Sequence, residues 1–252
     1  MKIIALANQK GGVGKTTSTI NIGAGLSKSG KNVLLVDLDP QAHLTYSLGI
    51  SAHELDNTIY QLLKGESNLS DTLIERNGLY VLPSTLDLSG ADVELSNIAG
   101  REYILREILS ELTDLDYILL DCPPSLGLLT LNALTTALEI YIPLQTEYLA
   151  LSGLSKLLQT IEIVQNRLNE NLRVTGIIAT RFDSRKRLNN EVVDKIKVHF
   201  GNSVFQTMIR DNISLAEAPS FGKTIFEYKP NSYGAADYLS LCNEILNREE
   251  YE

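Results

Sequence analysis

Sulfur chemistry is nearly absent from this chain. Only two cysteines, Cys122 and Cys242, occur in 252 residues, with no CxxC pair and no histidine beside either. That scarcity excludes a disulfide framework and a structural zinc site, and a reducing cytosol is the natural compartment. The three histidines, at 43, 53 and 199, have no metal-like spacing. No apolar run approaches the roughly 18 residues of a membrane span. The opening MKIIALANQKGG is a short apolar stretch that runs into glycines without a small-residue cleavage site, so it reads as a first strand rather than a signal peptide. At 44% hydrophobic and 21% charged, the composition excludes wholesale disorder. Positive charge is also scarce: the net charge of −9 argues against nucleic acid as a partner of the whole surface. Its distribution argues otherwise. Between Arg167 and Lys229 eleven Lys/Arg face seven Asp/Glu, while the remainder holds eleven against twenty-four. Such asymmetry marks either a solvated surface or an electrostatically specialised face in the last third.

What is present is a repeating alternation. Short apolar, β-branched runs at 2–8, 32–37, 79–82, 117–121, 139–144 and 173–180 read as strands. Helical periodicity occupies 15–29, 101–112, 125–137 and 149–168, the last with apolar residues at 154, 157, 158, 161 and 164. Nearly continuous apolar strands alternating with helices predict an α/β fold: one mostly parallel central sheet with helices on both faces. No linker, repeat or low-complexity tract divides the chain, so residues 1–252 are expected to form a single domain. Ligands of such sheets bind beyond the carboxyl ends of the strands. Asn8, Asp37, Asp39 and Asp121 lie there.

The strongest motif is Lys10-Gly11-Gly12-Val13-Gly14-Lys15-Thr16-Thr17, between the first strand and first helix. Glycines let successive backbone N–H groups curl around an anion, and the following helix adds its N-terminal dipole. Lys15 supplies a positive charge for β- and γ-phosphates, and the Thr16 hydroxyl suits Mg²⁺. The ordinary phosphate-loop pattern starts with a glycine where this chain has Gln9, and a second lysine, Lys10, sits inside the loop.

KGGVGKTT resembles the deviant Walker A motif of the ParA/MinD-type P-loop ATPases. The resemblance continues through VDLDPQ at 36–41, LPSTLDLSGADVEL at 82–95, DYILLDCPPSLGLLTLNAL at 116–134, IPLQTEYLALSGLSKLL at 142–158 and IRDNISLAEAPSFGKTI at 209–225. These blocks are most similar to the ParA/Soj branch, the chromosome- and plasmid-partition ATPases. The resemblance implies ATP and Mg²⁺ as cofactors, with residues 10–17 around the phosphates. Asp121 would be a Walker-B-type carboxylate holding the metal through water, with Asp37 supporting the Mg²⁺ shell. Asp39 would position the attacking water. By residue type alone, Asp37 and Asp39 serve equally well as caps of an Asp-Pro turn. In the family, Lys10 reaches into a partner's nucleotide across a homodimer, although one more contact in its own subunit is the alternative. Phe182 and Pro219 are candidate adenine contacts, or simply pack their loops.

The resemblance also gives the basic stretch a purpose. In the ParA/Soj branch this region binds double-stranded DNA non-specifically, and Arg185, Lys186, Arg187, Arg210 and Lys223 are the candidate contacts. No N-terminal helix-turn-helix extension is expected, so operator recognition is not. A ParB/Spo0J-type centromere-binding protein is the implied partner, and a cytoplasmic, nucleoid-associated location follows. Three alternatives share the fold. A MinD-like membrane ATPase would end in a basic amphipathic helix, whereas YLSLCNEILNREEYE is acidic at its end. A cluster carrier would need bridging cysteines. A small-molecule synthetase would have no use for a basic DNA face.

Overall fold

The computed structural model describes residues 1–147 and 153–249. The apolar runs become β1 (Lys2–Leu6), β2 (Val33–Asp37), β3 (Ile74–Arg76), β4 (Leu79–Leu82), β5 (Tyr117–Asp121), β6 (Glu139–Gln145) and β7 (Arg173–Thr180). They form one sheet in the order β3-β4-β2-β5-β1-β6-β7, parallel throughout except for β3 against β4. The expected α/β architecture is what forms. The hairpin strand β3 is an addition to the six expected strands. Its turn is Asn77-Gly78, both at positive φ (55° and 74°), the dipeptide best suited to a two-residue hairpin loop.

Strand periodicity assigns alternate side chains to opposite cores. Ile4, Leu6, Val33, Leu35, Tyr117 and Leu119 enter one buried cluster; Ala5, Leu34, Val36, Ile118 and Leu120 enter the other. The first cluster is covered by α1 (Lys15–Lys28), α2 (His43–Ser47), α11 (Ile225–Tyr228) and α12 (Tyr233–Glu249). The second is covered by α3 (Ile59–Lys64), α6 (Ile104–Leu109), α7 (Leu128–Thr136), α8 (Leu154–Arg167) and α9 (Arg187–Phe200). The remaining short helices are α4 (Leu69–Thr72), α5 (Ala91–Glu94) and α10 (Ile213–Glu217). Because both faces are covered, the strands can be apolar without alternation.

Two helices are shorter than their periodicity. α7 starts at Leu128 because Asp92, 36 residues upstream, accepts the Leu128 N–H at 3.0 Å. α6 is confined to Ile104–Leu109, with Arg101 drawn back to the Ser96 carbonyl. In α8, Leu154, Leu157, Ile161 and Val164 form the buried stripe; expected helical positions 149–152 lie outside the described residues. Among the described residues no helix is long and apolar enough to cross a membrane.

Close packing fixes the elements that carry the strand ends. A Cβ on Gly25 of α1 would lie 2.5 Å from Cys242 Sγ of α12, so the buried thiol fills the space of a missing side chain. On β7, a Cβ at Gly176 would lie 2.4 Å from the Tyr141 ring and 2.6 Å from Phe205. Those rings meet edge to face with centroids 5.2 Å apart.

Candidate active site

The phosphate loop leaves the end of β1, and α1 begins at Lys15. Gly12 and Gly14 sit at φ +73° and +93°, and nothing lies within 4 Å of where a Cβ on Gly11 or Gly12 would be. Gly14, directly before the helix, needs the left-handed conformation that other residues rarely adopt. Neighbouring strand ends strap the loop from behind. Gln145 Nε2 at the end of β6 donates to the Gly12 carbonyl at 2.7 Å. Thr180 Oγ1 at the end of β7 donates to the Val13 carbonyl at 2.8 Å. Asn8 completes the support: its Oδ1 accepts the Lys10 N–H at 3.0 Å, while its Nδ2 donates to the Pro143 carbonyl at 2.8 Å. The part of Gln145 and Thr180 in strapping the loop escaped the sequence reading. Their signal was a polar residue closing an otherwise apolar strand.

Three carboxylates converge on the loop. Thr16 Oγ1 donates to Asp121 Oδ2 at 2.7 Å, and Thr19 Oγ1 reaches Asp121 Oδ1 at 3.2 Å. Asp121 is completely buried, and burial, reinforced by the negative charge of Asp37, pushes its carboxyl up to about 8. Thr16 and Lys15 pull in the opposite direction. Asp37, also fully buried, is raised to about 6 by burial against the lowering effect of its hydrogen bonds. Both of its oxygens have protein donors: Oδ1 accepts the Asp39 N–H, and Oδ2 accepts the Thr45 N–H and Oγ1–H. Asp39 Oδ1 accepts the Gln41 N–H at 2.9 Å. A buried carboxylate that is costly to ionise, beside a threonine hydroxyl, is a donor set that a hard divalent cation would satisfy.

Lys15, only 7% exposed, lines a cavity of about 420 Å³ with the loop glycines, Thr16, Thr17, Asp39, Pro219 and Lys223. Next to it a cavity of about 350 Å³ runs from Gly12–Gly14 and Thr17 to Thr180, Arg181, Arg210, Asp211 and Tyr238. Of the two candidate adenine contacts, Pro219 lines the first cavity; Phe182 lines neither, and its backbone bridges to Arg210. Lys10 behaves unlike Lys15. Its side chain is 45% exposed, and Nζ pairs with Glu147 Oε2 at 2.9 Å.

The five candidate DNA-contacting cations divide into two groups. Arg185, Lys186 and Arg187 share the turn at the start of α9 and are exposed. Arg185 pairs with Asp183 and Arg187 with Glu191, at 2.9 and 2.7 Å. Arg210 instead makes a forked pair with Asp237, its guanidinium 4.2 Å from the Tyr233 ring centroid, and it lines the second cavity. Lys223 lines the first. Counting charge along the chain could not separate these groups, because Asp237 lies 27 residues from its partner.

Known proteins resemble this chain over nearly its whole length. A family described as an AAA domain matches residues 1–174. The sporulation initiation inhibitor protein Soj of Bacillus subtilis is 46% identical over 249 residues, covering 97% of this chain and 98% of its own. The chromosome-partitioning ATPase Soj of Treponema pallidum is 47% identical over 251 residues, 98% of each chain. Among solved structures, a Mycobacterium smegmatis protein described as cobyrinic acid a,c-diamide synthase, with bound ADP and magnesium, is similar with a TM-score of 0.88. It is 37% identical, and the match covers 99% of this chain and 96% of that one.

Proposed function

The chain belongs to the ParA/Soj family of chromosome-partitioning ATPases, and we propose that it works as an ATP-operated DNA clamp with two copies per assembly. The observation that carries this reading is the contrast between the two loop lysines. Lys15 lies inside the cavity, whereas Lys10 lines neither cavity, and its half-exposed side chain is paired with Glu147 at the surface, within reach of a second subunit.

ATP is the substrate. Lys15 and the amides of residues 11–16 bind its phosphates, and the cavity beside Thr180 and Asp211 receives the base. Thr16 and Asp121 would hold Mg²⁺, with Asp37 beside them. Bound there, the ion supplies neutralisation of charge on the β- and γ-phosphate oxygens. Asp39, in the same cavity, accepts a hydrogen bond from the attacking water and aims its oxygen at the γ-phosphorus. Lys10 of each subunit stabilises charge on the nucleotide of the other. Loss of the γ-phosphate then removes the reason for association.

Arg185, Lys186 and Arg187 form the DNA face. The guanidinium groups of Arg185 and Arg187 lie at the surface, where water screens their ion pairs, so backbone phosphates can displace the paired carboxylates. A dimer doubles the set, which makes DNA affinity depend on ATP and on salt. A ParB/Spo0J-type protein accelerates hydrolysis, and the working location is the cytoplasm, on the nucleoid. A second reading, a metabolite-activating synthetase, draws on the description of the M. smegmatis structure alone.

The test is DNA retention and sizing of Asp39→Ala without nucleotide, with ADP, and with ATP and Mg²⁺, on unrelated DNA sequences at two salt concentrations. A dimer that binds every sequence only with ATP, and less at high salt, supports the reading. An ATP-bound dimer without DNA affinity overturns the DNA face, and a monomer in all states overturns the role of Lys10.

A further inference from the structure

Asp39 sits on a turn after β2, and an exposed turn alone would not hold a water-orienting carboxylate to the few tenths of an ångström that catalysis needs. The turn here is gripped by two buried hydroxyls, Thr45 and Ser84, to which the sequence reading assigned no role. Ser84 Oγ, just past β4, donates to the Asp39 carbonyl at 2.9 Å, across 45 residues of sequence. The Ser84 N–H donates to Thr45 Oγ1 at 2.9 Å. Thr45 Oγ1 in turn donates to Asp37 Oδ2 at 2.7 Å, and Asp37 Oδ1 accepts the Asp39 N–H at 3.1 Å. The bonds close a ring: Asp39, Ser84, Thr45, Asp37 and back to Asp39. Ser84 and Thr45 are fully buried.

The ring is anchored on parts that cannot easily shift. Ser84 follows β4, which is paired on both sides, parallel to β2 and antiparallel to β3, and Thr45 lies within α2. The end of α2 is fixed by Arg76 Nε, which donates to the Leu48 carbonyl at 2.9 Å. It is also fixed by a backbone approach so close that a Cβ on Gly222 would lie 2.7 Å from Gly49 Cα. The N–H and the C=O of Asp39 are thus both held by side chains, and its own carboxylate, which accepts the Gln41 N–H through Oδ1, is the part that lines the cavity.

We propose that Ser84 and Thr45 are positioning residues for hydrolysis, acting by fixing the backbone of Asp39 relative to the phosphate loop. The proposal rests on the reading of Asp39 as the water-orienting group. Neither residue lines either cavity, so loss of either hydroxyl lowers kcat and leaves ATP binding in place. A misplacement of about 1 Å can cost on the order of a hundredfold in rate, and the smaller shift expected here should cost about tenfold.

Ser84→Ala is the informative variant. The Asp39 carbonyl keeps a second donor, the Ala42 N–H at 2.8 Å, and Ser84 keeps its backbone bond to Thr45, so the fold survives the change. Steady-state turnover with Mg²⁺ and ATP should show kcat lowered about tenfold, with KM and nucleotide affinity within about twofold of the parent. Thr45→Val should behave alike, and Thr45→Ser, which retains the hydroxyl, should recover most of the rate. Hydrogen exchange should quicken at residues 38–42 in Ser84→Ala and stay as in the parent across β5. Parental kcat in Ser84→Ala, with Asp39→Ala inactive, overturns the clamp while sparing the role of Asp39. Full turnover in Asp39→Ala overturns both. A rise in KM without a fall in kcat, or equal losses in Thr45→Ser and Thr45→Val, also overturns the clamp.

Discussion

Asp37 and Asp121 are register partners on adjacent parallel strands, β2 and β5, and neither has any exposed surface. Two carboxylates are thereby forced into one dry space at the carboxyl edge of the sheet. Burial raises both, Asp37 to about 6 and Asp121 to about 8, the latter also repelled by its partner.

A pH dependence of stability follows. An unfolded aspartate ionises near 3.8, so above that value the folded chain holds protons that the unfolded chain has released. Stability from this pair is complete at acidic pH and is lost as pH rises through about 6 and then about 8. Thermal denaturation without nucleotide should therefore give a Tm that falls from pH 6 to pH 8.5. Asp121→Asn should flatten the upper part of that slope, and an unchanged slope would refute the assignment.

Lys10→Ala should retain nucleotide binding and lose ATP-dependent association. Fluorescent-nucleotide titration and light scattering separate the two effects. Loss of nucleotide binding with a folded protein would place Lys10 in its own subunit's site.

Arg187→Glu should leave the ATP-dependent dimer intact and weaken DNA binding. Its side chain is 92% exposed, paired only with Glu191 of the same helix among the described interactions. Retention assays against ionic strength should show a shallower salt dependence than the parent. Parental DNA affinity would move the DNA face elsewhere.

Gly176→Ala should cost about 1–3 kcal/mol, the usual range for overpacking a core, because the new methyl would strike Tyr141 and Phe205. Urea denaturation measures this directly. Nucleotide affinity should fall as well if the strain reaches Thr180, four residues along β7 in the same strand.

The parallel sheet and the phosphate loop were legible in the sequence because both depend on local signals: apolar runs, glycines and a lysine at fixed spacing. β3 was not among the expected strands, because three residues carry little hydrophobic pattern; its signal was the Asn77-Gly78 turn. The start of α7 was not legible, since Asp92 caps it from another element. The same holds for the contacts of Gln145 with Gly12 and of Thr180 with Val13, which span 133 and 167 residues. Arg210 shows the limit most plainly. Its charge was counted along the chain, while its partners Asp237 and Tyr233 lie far from it in sequence and tie the partly exposed guanidinium beside the second cavity.

The side-chain straps behind the phosphate loop bear on how quickly nucleotide can be exchanged. With the Gly12 and Val13 carbonyls tied to β6 and β7, and Lys10 N–H tied to Asn8, the loop takes its shape when the chain folds. Encounter with a nucleotide then requires no slow local rearrangement, and the ordering entropy is already spent. Association should approach the speed of a rigid receptor, so that differences in lifetime between ATP and ADP complexes arise from departure, not arrival.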